Sequence, residues 1–356
     1  MTGLACPPTN PICNPFLYLH QIVGSLLGFL PDPLPIILIT LLSIAMVTTL
    51  VALIVMSQVW AERRIIAFMQ GRLGPNRVGP AGILQSVADA IKLLAKEIII
   101  PYQADRVPFI LAPLIVLVPS LMVWSLIPWG PGLSVTDLNV GVLFLLGMGA
   151  LPTIGILTAG WASGNKYSVL GGMRAAAQLI SYEIPMVLIL AVPVLLAGSL
   201  SLGDIVEAQS GAWFVFWLPV GPIALLLFLV AGIAEVNRSP FDLPEAESEI
   251  VAGFHTEYSG MAFALFFLAE YANSFAVSAM ATVLFFGGGA GPLLPPFVWF
   301  FIKTYAVFFV MVWIRSTLPR LRYDQLMNVA WKVALPIALL TVGATAVEVT
   351  LRSAAG

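Results

Sequence analysis

The sequence predicts an all-α, polytopic membrane protein, and three observations carry that prediction. Mean hydropathy is +0.98 over 356 residues, with 60% hydrophobic and only 10% charged side chains; a soluble domain is nearer half apolar. Apolar runs of about 20 residues recur, the length an α-helix needs to cross a hydrocarbon core of roughly 30 Å. The short alternating segments that a transmembrane β-barrel requires do not occur.

Reading the apolar runs against charges and Pro/Gly breaks gives eight spans: Pro35–Trp60, Val107–Ile127, Leu138–Trp161, Ala175–Ala197, Trp213–Ala234, Gly260–Phe286, Leu294–Ile314 and Trp331–Leu351. Residues 1–34 form a tail, and 35–351 form a single membrane domain with two informative connections, 61–106 and 235–259. Gly287–Gly291 with Pro292, Pro295 and Pro296 mark the turn after the sixth span. Cations then set direction. Arg63, Arg64, Arg72, Arg77, Lys92, Lys96 and Arg106 lie in the first connection, Lys166 and Arg174 in the third, Arg238 in the fifth, and Arg315, Arg320 and Arg322 in the seventh. The even connections contain no Lys or Arg. The positive-inside rule makes the odd connections cytoplasmic and places both termini outside.

The inventory of ligating residues is short. Cys6 and Cys13 sit in the tail, where an oxidising compartment would permit a disulfide. His20 falls outside and His255 inside, which excludes bis-histidine haem ligation. Two cysteines cannot supply the four thiolates of an iron–sulfur cluster, and GxGxxG, Walker and HExxH patterns are missing. This chain is expected to carry no metal and no redox cofactor of its own, and no nucleic-acid partner. No basic region runs directly into an apolar segment at the N-terminus, so a cleaved signal peptide is not expected.

The fifth connection is the anomaly. It reads AEVNRSPFDLPEAESEIVAGFHTEY and holds Glu235, Asp242, Glu245, Glu247, Glu249 and Glu257 against the single strong base Arg238. Interleaved Pro240, Phe241, Leu243, Pro244, Ile250, Val251 and Phe254 would let the segment fold back against the bundle rather than remain a solvated loop. Two carboxylates 4 Å apart repel by roughly 4 kcal/mol at an effective dielectric near 20. A buried acid cluster therefore needs cations, or it holds protons and releases them when a nearby charge changes. Glu183, Glu270 and Lys303 fall inside spans, where ionisable groups face the bundle interior or water. A Lys–carboxylate pair and a functional role both fit Lys303. Arg174, Gln178 and Ser181 share one face of the fourth span, with Glu183 nearly opposite Arg174. Glu257 and Glu270 would stand about 20 Å apart on a continuous helix.

In the first connection, AGILQSVADAIKLLAKEI places Ile83, Leu84, Val87, Ala88, Ile91, Leu94, Ala95 and Ile98 on one stripe, with Gln85, Ser86, Asp89, Lys92 and Lys96 away from it. That is an amphipathic helix of the membrane interface, on the cytoplasmic side. The preceding QGRLGPNRVGP is too rich in Gly and Pro for a helix and offers a stiff cationic turn. The pair suits an amphiphile with a polar head and an apolar tail, or a docked soluble partner.

Three blocks carry a family resemblance: AERRIIAFMQGRLGPNRVGPAGILQSVADAIKLLAKE, RAAAQLISYEIPM and AEVNRSPFDLPEAESEIVAGFHTEYSGMAFALFFLAEYAN. They resemble the heel membrane subunit of bacterial proton-pumping NADH–quinone oxidoreductases and its counterpart in respiratory complex I, the mitochondrial NADH dehydrogenase subunit 1. The likeness runs over residues 35 to 350 in motif order and span count. It implies a bacterial inner-membrane subunit that joins a hydrophilic electron-transfer arm to antiporter-like membrane-arm subunits, amid membrane lipids. Quinone would be the substrate, with FMN and iron–sulfur clusters held by partner subunits. The resemblance assigns Glu62, Arg63, Arg72 and Asp89 to the quinone passage. It assigns Glu183, Glu235, Asp242, Glu245, Glu247, Glu249, Glu257 and Glu270 to a proton path, with Tyr182 and Arg238 as partners. ERR stands where many relatives read ERK, so no contact is carried over to Arg64. The residues alone also admit a standalone cation-coupled transporter or a structural anchor, and the resemblance extends to subunits of membrane-bound hydrogenases and related dehydrogenases.

Overall fold

The computed structural model describes residues 34–130, 134–244 and 251–355. Cys6, Cys13 and His20 in the tail, and Glu245, Glu247 and Glu249 in the acidic connection, lie outside the described residues. Among the described residues there is no strand. The helices are α1 (Leu34–Met69), α2 (Gln85–Ala95), α3 (Arg106–Val123), α4 (Gly141–Ala162), α5 (Lys166–Ala197), α6 (Leu202–Ala208), α7 (Val220–Glu235), α8 (Gly260–Phe285), α9 (Pro296–Thr317), α10 (Tyr323–Asn328) and α11 (Leu335–Ala355). A π-helical turn, Val329–Ala334, joins α10 to α11.

Seven stretches are long and apolar enough to cross a membrane: α1, α3, α4, α5, α8, α9 and the joined α10–α11. The remaining expected span is α7, which has 16 residues and so measures about 24 Å, short of a full hydrocarbon core. The sequence places its start at Trp213. Instead the chain makes a 3₁₀ turn at Phe214–Phe216, and the helix begins only after Pro219, which has no N–H for a preceding turn. α1 and α5 are among the helices that exceed their expected bounds. α1 continues beyond Trp60 to Met69, carrying Glu62, Arg63 and Arg64 on helical backbone. α5 begins at Lys166 rather than Ala175, because the Asn165 side chain accepts a hydrogen bond from Tyr167 N at 2.9 Å and caps it.

α3 packs along α4 and α4 along α5; α5 also meets α7 and α11, and α8 lies against α1, α3, α7 and α9. Trp124, Phe228, Phe275, Phe285 and Phe300 fill the interior. The turn Gly253–His255 rests directly on α5: a Cβ on Gly171 would lie 2.7 Å from backbone atoms of Gly253 and Phe254. α2 is shorter than its predicted stripe, so Ile83, Leu84 and Ile98 flank the helix rather than ride on it. Val87, Ile91 and Leu94 are exposed, so no other described residue covers that apolar face.

Lys303 forms no carboxylate pair among the described residues. Its Nζ donates to the carbonyls of Phe286, Gly288 and Ala290 at 2.7, 3.0 and 2.6 Å and lies 4.3 Å from the Trp213 ring centre. No carboxylate is among these partners. The ammonium caps the C-terminal end of α8, where carbonyls lack helical partners and a cation is favoured.

The backbone contact at Gly171 cannot yield as a flexible side chain would. Gly171→Ala is expected to destabilise the protein by about 1–3 kcal/mol. Gly147→Ala, with no neighbour within 4 Å, is expected to be neutral or slightly stabilising. Thermal denaturation in detergent compares the two variants; equal behaviour would refute the close approach.

Candidate functional site

The centre of the acidic site is Arg238, only 6% exposed. It lies just beyond the C-terminus of α7, where the chain turns back through Asn237, whose φ is 56°. Gln178 on α5 anchors that turn: its Nε2 reaches Ala234 O at 2.8 Å, Asn237 Oδ1 at 3.1 Å and Phe241 O at 2.7 Å. Leu321 N donates to Pro240 O from the opposite side at 3.1 Å. The fifth connection is thus stitched into the bundle as far as Phe241.

Arg238 reaches two helices through three side chains. Its Nη1 donates to both oxygens of Glu62 on α1, at 3.0 and 3.1 Å. Its Nε approaches Glu270 Oε1 on α8 at 2.9 Å, an ion pair whose alignment falls short of a hydrogen bond. The guanidinium carbon stands 4.0 Å from the Tyr271 ring centre. Burial works against the charged form, but Glu270, Glu62 and Tyr271 outweigh it and raise the Arg238 pKa well above its ordinary value. Arg315 on α9 also donates to Glu62 Oε1, and Arg320 Nη2 holds Asp242 Oδ2 at 2.9 Å. Burial pushes the Asp242 carboxyl up, against the opposing pull of Arg320, Arg315 and Arg238. Its other oxygen has no hydrogen-bond partner among the described residues.

Beside this network a cavity of about 280 Å³ opens between α3, α4, α5, α7 and α8. Its wall is mostly apolar, with Glu235, Glu270, His255, Asn237 and Asn273 as its polar members. Gly149 on α4 makes room for Glu235: a Cβ there would lie 2.9 Å from the carboxylate Oε1. Glu183 lies near enough to Glu235 for their charges to interact.

The sequence-assigned residues therefore divide. Glu235, Glu270 and Arg238 meet at the cavity and its edge, with Glu183 and Asp242 alongside. Glu62, expected with the quinone set, is buried and joins the acids. One residue is about 100° of helix rotation, enough for Glu62 to face the bundle while Arg63 faces out. Arg63 instead pairs with Asp89 on α2 at 2.6 Å, and Arg72 Nε donates to Gln70 Oε1 at 2.6 Å. Arg63 and Arg72 line one shallow pocket with Ile66, Leu73, Gly74 and Pro75. Tyr182 is buried away from the cavity; its hydroxyl donates to Leu326 O at 3.1 Å and its ring packs on Phe241. Glu257 accepts from Asn165 Nδ2 at 2.6 Å. It precedes the start of α8 at Gly260, so no continuous helix joins it to Glu270. Sequence alone does not single out Arg315, Arg320, Gln178, Tyr271 or His255 as site residues. For Arg315 and Arg320 the one available signal is their clustering in the connection after α9, which by itself speaks only to direction.

The matching family model, described as NADH dehydrogenase, covers residues 42–346. The chain belongs to the NADH dehydrogenase family. An NADH-quinone oxidoreductase H subunit of Geobacter sulfurreducens is 54% identical over 80% of this chain and 88% of the relative. That of Geobacillus kaustophilus is 53% identical over 81% and 87%. One from Geobacter metallireducens is 50% identical over 89% and 98%. Likeness over nearly the whole length of these relatives supports a membrane subunit of an oxidoreductase complex over a standalone transporter.

Arg238→Gln leaves Glu270 and Glu62 buried beside a neutral group, with Arg315 alone on Glu62. A loss of about 3–5 kcal/mol is expected, read as lowered thermal stability of the assembled complex. His255 supplies a pH signature. Burial lowers its pKa from 6.5 to about 4, so between those values the unfolded chain binds more protons than the folded one, and stability falls as pH drops through that window. The melting temperature of the wild type should therefore fall more between pH 7 and pH 5 than that of His255→Asn; parallel curves would show that His255 is not buried neutral.

Proposed function

We propose that this chain is the heel subunit of a proton-pumping NADH–quinone oxidoreductase, providing part of the quinone passage and an acid-lined proton path. It lies in a bacterial inner membrane with both termini outside. It joins the hydrophilic arm, whose FMN and iron–sulfur clusters deliver electrons, to antiporter-like membrane subunits. The observation that carries the reading is the cavity lined by Glu235 and Glu270 beside the Arg238 network.

The chemistry follows from placement. Arg63, Arg72 and Asp89 offer polar contacts for a quinone headgroup, and the exposed stripe of α2 offers an apolar wall for its tail. Reduction of a quinone takes up protons and changes charge near the membrane surface. Glu62 and Arg63 are adjacent on α1, one facing inward to Arg238 and the other outward to Asp89. A charge change on the outer side therefore acts on the inner acids over a short, poorly screened distance. Glu235 with Glu183, and Glu270 beside Arg238, take up or release protons in response. Glu245, Glu247, Glu249 and Glu257 extend the path along the same connection.

The test uses Glu235→Gln and Glu270→Gln in the intact complex, with assembly confirmed by its iron–sulfur EPR signals. Coupled NADH:quinone turnover and proton translocation are expected to fall by about 10²-fold, the typical contribution of a positioned proton-transfer group, while NADH oxidation by an artificial acceptor persists. Normal pumping in both variants would overturn the proton-path reading.

A further inference from the structure

Gln58 is the most anomalous polar side chain of the bundle interior. It lies on α1 at 0% exposure, among the buried Val55 and Val59 of the core. Neither Oε1 nor Nε2 has a hydrogen-bond partner among the described residues. A buried amide normally satisfies both atoms, and the requirement sharpens inside a membrane, where lipid supplies neither donors nor acceptors. The adjacent Ser57 does not share this condition; its hydroxyl lies 2.5 Å from Tyr305 OH on α9.

Position gives the amide its context. Gln58 precedes Glu62 by one helical turn, about 6 Å deeper along α1 and on the same face. Glu62 is held by Arg238 Nη1, and Arg238 Nη2 is also buried without a hydrogen-bond partner among the described residues. Two unsatisfied groups thus neighbour one carboxylate: an uncharged donor–acceptor one turn away on the same helix, and a cationic donor on the guanidinium that holds it.

We propose that Gln58 and Arg238 Nη2 define an internal water site, holding one or two ordered waters on the bundle side of Glu62. An amide suits this task because it both donates and accepts, so it can hold a water in either orientation without carrying charge. Such a water takes a hydrogen bond from Gln58 Nε2 or gives one to Oε1, and it receives one from Arg238 Nη2. Buried waters make about three such bonds to otherwise unsatisfied groups. Gln58 is then a positioning residue: it extends the hydrogen-bonded network of Glu62 and Arg238 one turn further into the membrane. The hydration site stands on burial and geometry alone; its use in proton delivery rests on the acid path proposed above.

High-resolution cryo-electron microscopy of the intact complex tests it, on the wild type and on Gln58→Met, which keeps length and removes both polar atoms. The expected result is ordered water density within hydrogen-bond distance of the Gln58 amide in the wild type, lost in the variant. Coupled turnover should drop about fivefold, the equivalent of one net hydrogen bond, with an altered pH profile. A dry wild-type amide, or one bonded to another chain of the complex, overturns the proposal. So does water that persists in Gln58→Met with unchanged turnover and pH profile. Should the variant fail to assemble, the wild-type density alone decides. Normal pumping in Glu235→Gln and Glu270→Gln would strike the proton path while leaving this density in place, so the two failures are distinguishable.

Discussion

One buried guanidinium organises the inner half of this bundle. Arg238 joins α1 through Glu62, α8 through Glu270 and Tyr271, and the turn after α7 on which it sits. Isolated in a membrane interior, any of these charges would cost several kcal/mol. Together they become tolerable, because each carboxylate meets a cation and Arg238 meets two carboxylates. The arrangement also binds segments distant in sequence, since no helix can carry its charge inward without its partners from the others.

Charge balance explains why the site is built from cations of two connections. Glu62, Glu270 and Asp242 face Arg238, Arg315 and Arg320, three acids against three bases. Only Arg238 belongs to the acidic connection; the other two come from the end of α9 and the segment beyond it. A balanced network responds strongly to a change of one charge where it is buried, because the low-dielectric interior screens that change weakly. The neighbouring cavity adds Glu235 at the network's edge and is otherwise mostly apolar, which keeps that response local.

Much of the fold was legible because membrane spans are written in local composition. The exception, α7, shows the limit. Trp213–Ala234 is apolar throughout, yet Pro219 and the turn around Phe214–Phe216 decide where helix begins. The acidic connection and its tendency to fold inward were readable from interleaved carboxylates and apolar residues. Its wiring was not. Glu62 and Arg238 are 176 residues apart and Glu62 and Arg315 are 253 apart, and periodicity cannot register such pairings. Lys303 shows the same limit from the other side. Its place inside a span admitted a carboxylate partner, but the Gly-rich turn after α8 folds over it and supplies backbone carbonyls as ligands instead. Gln58 left no signal, since one Gln in an apolar run is unremarkable until its burial is known.

How the C-terminal end of α8 is held bears on how the site works. That end is pinned. Lys303 caps three carbonyls there, Gln209 Nε2 donates to Val283 O at 2.8 Å, and Gln209 Oε1 accepts from Gly287 N at 2.9 Å. Glu270 lies sixteen residues before Phe286, about 24 Å away along the helix, in the half that carries the buried charges. A helix fixed at one end resists axial sliding, so a change of charge at Glu270 is met first by what can move cheaply around it: protons, water and side-chain rotamers. That favours a path in which helices hold carboxylates at set depths while protons redistribute among them, over one in which α8 itself shuttles between positions. It also gives the Gln58 site its logic, since a rigid helix pair can hand a proton across a gap only if something small and rotatable fills it.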